Sequence, residues 1–108
     1  MDFNMEKTFD GSRWRVELHG EIDIYNSTDL KTQLSEMMDE HSADVHLDCT
    51  GLEYIDSTGL GALVGALKNI KSKGQEMHLS NIKSNILKLF KITSLDKVFI
   101  LEGVDNNE

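Results

Sequence analysis

The sequence has one cysteine, few basic residues and no long apolar run, and each shortage excludes something. Cys49 has no partner, so an internal disulfide and any multi-cysteine metal site are ruled out, and its apolar surroundings predict a buried, inert thiol. Eleven Lys and Arg stand against nineteen Asp and Glu, a formal charge of −8. Affinity for a phosphate backbone comes mainly from Lys and Arg, so nucleic acid is not an expected partner. The four histidines, His19, His41, His46 and His78, lie far apart with no His-x-x-x-His or Glu-x-x-His spacing. A zinc site therefore has no local support, and no metal or cofactor is expected. No apolar run approaches the ~18 residues of a membrane span. The start, Met1-Asp2-Phe3-Asn4-Met5-Glu6, lacks the basic then apolar order of a signal peptide. The expectation is a cytoplasmic protein without a membrane partner.

What is there suits one domain over residues 1–108, with the last few residues, about 104–108, fraying. At 39% hydrophobic and 28% charged, the composition is that of a globular chain. Phe3 and Met5, then Trp14, Val16 and Leu18 beyond the turn Asp10-Gly11-Ser12, alternate as a hairpin does. Ser27 reads as the cap of a helix whose Leu30, Leu34, Met37 and Met38 share one face, ending near Glu40. Val45 to Cys49 alternates as a half-buried strand. A helix from about Thr58 to Lys73 ends at Gly74, with Lys68, Lys71 and Lys73 near the negative end of its dipole. Met77 and Leu79 mark a short strand, Lys83 to Lys91 a third helix, Ile92 to Leu95 a turn or short helical piece, and Val98 to Leu101 a last strand. The order ββαβαβαβ implies an α/β fold, a mixed sheet opened by the hairpin with helices packed on it.

The chain is organised around Leu52 to Gly65. Glu53 to Thr58 reads as a loop between strand and helix, with Ser57 or Thr58 as the helix cap. A cap needs one hydroxyl, yet two adjoin beside Asp56, ahead of Gly59, Gly61 and Gly65, each of which weakens a helix by ~1 kcal/mol relative to Ala. Either another element packs tightly on this face or a partner approaches closely.

Three chemistries can be weighed here. Asp-Ser-Thr-Gly-Leu-Gly does not match the Gly-x-Ser-x-Gly elbow, and no histidine is placed to activate Ser57, so hydrolysis has little support. The Gly-x-x-x-x-Gly-Lys-Ser/Thr loop is absent, so a nucleotide site is not supported. Modification of the hydroxyl by another enzyme asks only for exposure. Phosphate adds about −1.5 to −2 charge, which a helix N-terminus tolerates and a bound partner need not. A switch in binding rather than in folding is expected.

At these residues the chain resembles the anti-sigma factor antagonists of the STAS domain family. The resemblance rests on Gly20-Glu21-Ile22-Asp23, on Tyr54-Ile55-Asp56-Ser57-Thr58-Gly59-Leu60-Gly61, and on Leu89-Phe90-Lys91-Ile92-Thr93-Ser94-Leu95, where the family usually has Gly in place of Ser94. It implies the STAS fold and a non-enzymatic role in partner switching. An anti-sigma factor that is also a serine kinase holds a sigma factor inactive, and the unphosphorylated antagonist binds that kinase and frees the sigma factor. Phosphorylation by the same kinase, with ATP and magnesium, breaks the complex, and a PP2C-type phosphatase restores it. Carried over by position, the phosphorylated residue is Ser57, with Thr58 a secondary site. Asp56 shapes the loop, and Glu21 and Asp23 share the partner-binding surface with Thr58, Gly59 and Gly61. The form of the motif, with Asp23-Ile24-Tyr25 after Glu21, is closer to the general stress branch than to the sporulation branch. The alternative is a STAS module serving as a scaffold or small-ligand sensor in a larger signalling or transport assembly. Beside each carried residue stands a bland reading: Glu21 and Asp23 as solvated loop carboxylates, Asp56 as an N-terminal turn residue, and Thr58 as the cap.

Overall fold

A computed structural model of the chain describes residues 3–103; the expected fraying at the C-terminus lies outside the described residues. The elements are β1 (Phe3–Phe9), β2 (Arg13–Ile22), α1 (Ser27–Glu40), β3 (Asp44–Ile55), α2 (Ser57–Ser72), β4 (Met77–Ser80), α3 (Ser84–Ile92), a 3-10 turn (Leu95–Lys97) and β5 (Ile100–Glu102). The five strands form one sheet in the order β1-β2-β3-β4-β5. β1 and β2 are antiparallel, and the other neighbours are parallel. The expected α/β architecture, with its opening hairpin and ββαβαβαβ order, is what the structure has.

The hairpin turn is set by Asp10, whose Oδ1 accepts the N–H groups of Ser12 and Arg13, both at 2.9 Å. The alternation read in the strands has one cause, a sheet with a single covered face. Trp14, Val16 and Leu18 of β2, Val45, Leu47 and Cys49 of β3, and Met77 and Leu79 of β4 are buried in one cluster with Leu30, Leu34, Met37 and Met38 of α1, Leu60, Leu63, Leu67 and Ile70 of α2, and Ile86 and Phe90 of α3. The intervening Arg15, Glu17, His46, Asp48, His78 and Ser80 lie on the other, polar face. Cys49 is buried, and desolvation pushes its thiol up to about 12, so it is inert as expected. α2 stops where Gly74 takes φ +78 and its N–H reaches the Lys71 carbonyl at 3.0 Å.

Three readings need correction. β3 does not end near Cys49 but runs to Ile55, because Gly51 to Ile55 continue to pair with β2 after a register shift, so Glu53 to Ile55 are strand and not loop. The last strand is Ile100–Glu102, not Val98 to Leu101. The N–H groups of Val98 and Phe99 are both taken by the Leu95 carbonyl, at 3.0 Å each, which closes the 3-10 turn and leaves them unavailable to a ladder. Phe99 is buried instead, edge-on to Phe90 with ring centroids 5.5 Å apart. Ser27 does not cap α1; it is the first helical residue and is buried, while Asn26 holds the cap position without a side-chain cap bond. Asn26 is engaged on the loop before it.

Candidate functional site at the start of α2

The parallel strands β2 and β3 end side by side, with Glu21 opposite Tyr54 and Ile22 opposite Ile55. Loops that follow adjacent parallel strands emerge together at the carboxyl ends of the strands, where open α/β folds place their sites. Here that end carries the turn 23–26 and the start of α2.

The turn is built from its own polar groups. Asn26 Oδ1 accepts the Asp23 N–H at 2.9 Å, and Asn26 Nδ2 donates to the Glu21 carbonyl at 2.9 Å. Asp23 Oδ1 accepts the Tyr25 N–H at 2.9 Å, and the Asp23 carbonyl accepts from Asn26 and Ser27. Asp23 is only 8% exposed. It is thus not a solvated loop carboxylate, and its visible task is to shape the turn. Glu21 is half-buried beside it. What the turn presents is apolar: Ile24 is 64% and Tyr25 91% exposed, next to Tyr54 at 46%. In the sequence Ile24 and Tyr25 count only as a mark of the general stress branch and Tyr54 only as part of the central motif, none of them as a partner-binding residue. An Ile-Tyr pair between a strand and a helix start, with no polar reason to be there, was the available signal.

At the start of α2 the cap is Asp56, not Ser57 or Thr58. Its Oδ1 accepts the Gly59 N–H at 2.9 Å and the Thr58 hydroxyl proton at 2.6 Å. The Thr58 hydroxyl, then the Gly59 N–H, hold the Asp56 carboxyl below its ordinary value of 3.8, so it is ionised at neutral pH. Two of the three polar side chains are therefore occupied by each other. Ser57, the first helical residue, is exposed, and among the described residues its hydroxyl makes no hydrogen bond. It is a hydroxyl at the positive end of a helix dipole.

The glycines divide between the two explanations offered for them. A Cβ at Gly59 would lie 2.6 Å from Ile55 Cγ1 and 2.8 Å from Ile22 Cγ2, so Gly59 is required by the packing of α2 on β2 and β3. Gly65 is crowded by the Lys31 side chain, its Cβ position 2.9 Å from Lys31 Cε. Gly61 is different. It is exposed, and a Cβ there would meet nothing within 4 Å. It lines a shallow groove of about 320 Å³ between α1 and α2, with Thr28, Lys31 and Thr32 on one side and Thr58 on the other.

The sequence pattern of the STAS domain family matches residues 4–107. The chain belongs to that family. It is 32% identical over 106 residues to the anti-sigma-B factor antagonist of Staphylococcus aureus, covering 97% of this chain and 98% of that one. Its place is thus among the anti-sigma factor antagonists, regulatory proteins and not enzymes, and near the sigma-B kind. A Thermotoga maritima protein of known crystal structure shares the fold with a TM-score of 0.82 at 21% identity, covering 90% of this chain and 84% of that one. SpoIIAA, a Bacillus cell fate determinant solved in its phosphorylated form, shares it with a TM-score of 0.70 at 18% identity, covering 93% and 90%. No helix among the described residues is long and apolar enough to cross a membrane.

Proposed function

We propose that the chain, acting as a single cytoplasmic domain, binds in its unphosphorylated form an anti-sigma factor that is also a serine kinase, and so frees a sigma factor. The kinase, using ATP and magnesium, phosphorylates Ser57 and breaks the complex, and a PP2C-type phosphatase reverses this. One observation carries the reading: of the hydroxyls at the start of α2, Thr58 is bound to Asp56 and Ser57 is free and exposed. This supports Ser57 as the acceptor, with Thr58, exposed as well but engaged by Asp56, a secondary site.

The surroundings support a switch in binding. The exposed Ile24, Tyr25 and Tyr54 supply the apolar and aromatic surface on which interface energy concentrates. Glu21 stands at its margin, and Gly61 leaves room for a partner side chain to reach the groove. Phosphate at Ser57 is tolerated by the helix dipole, so the domain stays folded. A like charge facing it from the partner costs several kcal/mol, and each ~1.4 kcal/mol is tenfold in affinity. SpoIIAA, which shares the fold, exists in a phosphorylated form, which is consistent with such a cycle.

The experiment is intact mass of the purified chain after incubation with the anti-sigma kinase of the same cell and magnesium-ATP, with fragment sequencing. One phosphate on Ser57, absent in Ser57→Ala, is the expected result. No phosphate while the kinase modifies a control substrate would leave the scaffold or ligand-sensing reading in its place.

A further inference from the structure

On the uncovered face of the sheet, Glu6 of β1 and Glu17 of β2 stand directly opposite each other in the antiparallel register, and His19 follows on β2. Like charges so placed destabilise a sheet. Among the described residues no Lys or Arg pairs with either carboxylate, and the ionic neighbour of both is the His19 imidazole. His19 Nε2 lies 3.5 Å from Glu6 Oε2 and 3.3 Å from Glu17 Oε1. Both distances exceed the ~2.7–2.9 Å of a charge-assisted hydrogen bond. Nε2 is shielded from solvent and makes no hydrogen bond at all.

The spacing fits another geometry. Ligand atoms held ~2.0–2.1 Å from a central zinc ion in a tetrahedron lie ~3.3–3.4 Å from one another. Donor atoms of Glu6, Glu17 and His19 all fall within 4.8 Å of one another. The ring is held in place by the strand beside it. His19 pairs with Gly51 across β2 and β3, and a Cβ at Gly51 would lie 2.3 Å from His19 Nδ1. The imidazole thus rests over bare backbone, with its far nitrogen turned to the carboxylates.

We propose that Glu6, Glu17 and His19 bind a divalent first-row transition ion, zinc foremost. One imidazole nitrogen and two carboxylate oxygens fill three positions and water the fourth. The nitrogen donor argues against magnesium and calcium, which take oxygen ligands. The ion neutralises the opposed carboxylates and clips β1 to β2. Sequence spacing does not reveal the set, because Glu6 reaches the other two only through the hairpin register.

The test is calorimetric titration of the full chain with zinc chloride in chelator-free buffer, with thermal melts in zinc and in EDTA. Expected are one equivalent bound, a higher melting temperature in zinc, and no such response to magnesium. His19→Gln and Glu17→Gln should each weaken binding at least tenfold while melting cooperatively in EDTA, which shows that they fold. Gly51→Ala should weaken binding by ~10–100-fold through the displaced ring. His78→Gln, in the separate cluster with His46 and Glu102, should leave it unchanged. Absence of zinc binding, equal binding by His19→Gln, or loss in His78→Gln alone would each overturn the proposal.

Discussion

The Asp56 N–H donates to the Ile22 carbonyl at 3.1 Å, joining the start of α2 to the end of β2. The turn bearing Ile24 and Tyr25 begins one residue after Ile22, and Ser57 follows Asp56. The bond therefore makes one surface of two loops that are far apart in sequence. Since the Asp56 side chain also caps α2, this residue sets both the neighbourhood of the Ser57 hydroxyl and its presentation.

Removing the cap tests that dual role. Asp56→Ala should cost about 1 kcal/mol, within the range found for N-caps. In a domain of this size that lowers the melting temperature by about 4–8 °C. Phosphorylation of Ser57 should slow as well. Asp56→Asn, which keeps an acceptor, should recover most of the stability. A melting temperature unchanged in Asp56→Ala would show that the cap contributes nothing.

Acid should weaken the fold through identifiable carboxylates. The Arg13 and Ser12 N–H groups hold Asp10 well below the usual range, the Thr50 hydroxyl and Asn81 amide lower Asp48, and the Thr58 hydroxyl and Gly59 N–H lower Asp56. In each case the unfolded chain binds the proton more readily. Their contribution is therefore complete above the ordinary value of 3.8 and is lost as pH falls below it toward the folded values. The urea midpoint should drop as pH falls from about 4 toward about 2, and Asp56→Asn should make that drop shallower. A midpoint that rises on acidification would reverse the sign.

Two neighbouring glycines should respond in opposite ways. Gly59→Ala drives a methyl against Ile55 and Ile22 and should destabilise by ~1–3 kcal/mol. Gly61→Ala meets open space and should stabilise the helix by ~0.5–1 kcal/mol, yet weaken binding to the anti-sigma factor. Chemical denaturation and a binding titration read the two effects separately. Equal stability changes at both positions would contradict the packing described.

Ser94 occupies the left-handed region at φ 62, where a residue with a side chain is strained. The turn expected with Gly is thus kept by a serine. Ser94→Gly should raise stability by roughly 0.5–1 kcal/mol in urea unfolding.

The hairpin and the helix faces were legible because Trp14, Val16 and Leu18, or Leu60, Leu63 and Leu67, answer to one covered sheet face and so carry a clean period. The central motif and its family resemblance pointed to Ser57. Asp56, Ser57 and Thr58 are all good cap residues in a row, so which of them caps depends on backbone angles that composition does not encode. Asp23 reads as exposed until its bond to the Tyr25 N–H is seen. The extension of β3 to Ile55 and the loss of Val98 from the last strand turn on a register shift and on one carbonyl, Leu95, accepting twice. Such long-range or backbone-level facts leave no periodic trace.

The decisive measurement is the affinity of the anti-sigma kinase for this chain before and after phosphorylation of Ser57, taken by calorimetry with circular dichroism on both forms. The switch predicts unchanged circular dichroism and an affinity at least tenfold lower once Ser57 is phosphorylated, with Ser57→Ala binding as the unmodified chain does. Equal affinity of the two forms, with Ser57 fully phosphorylated, would contradict it.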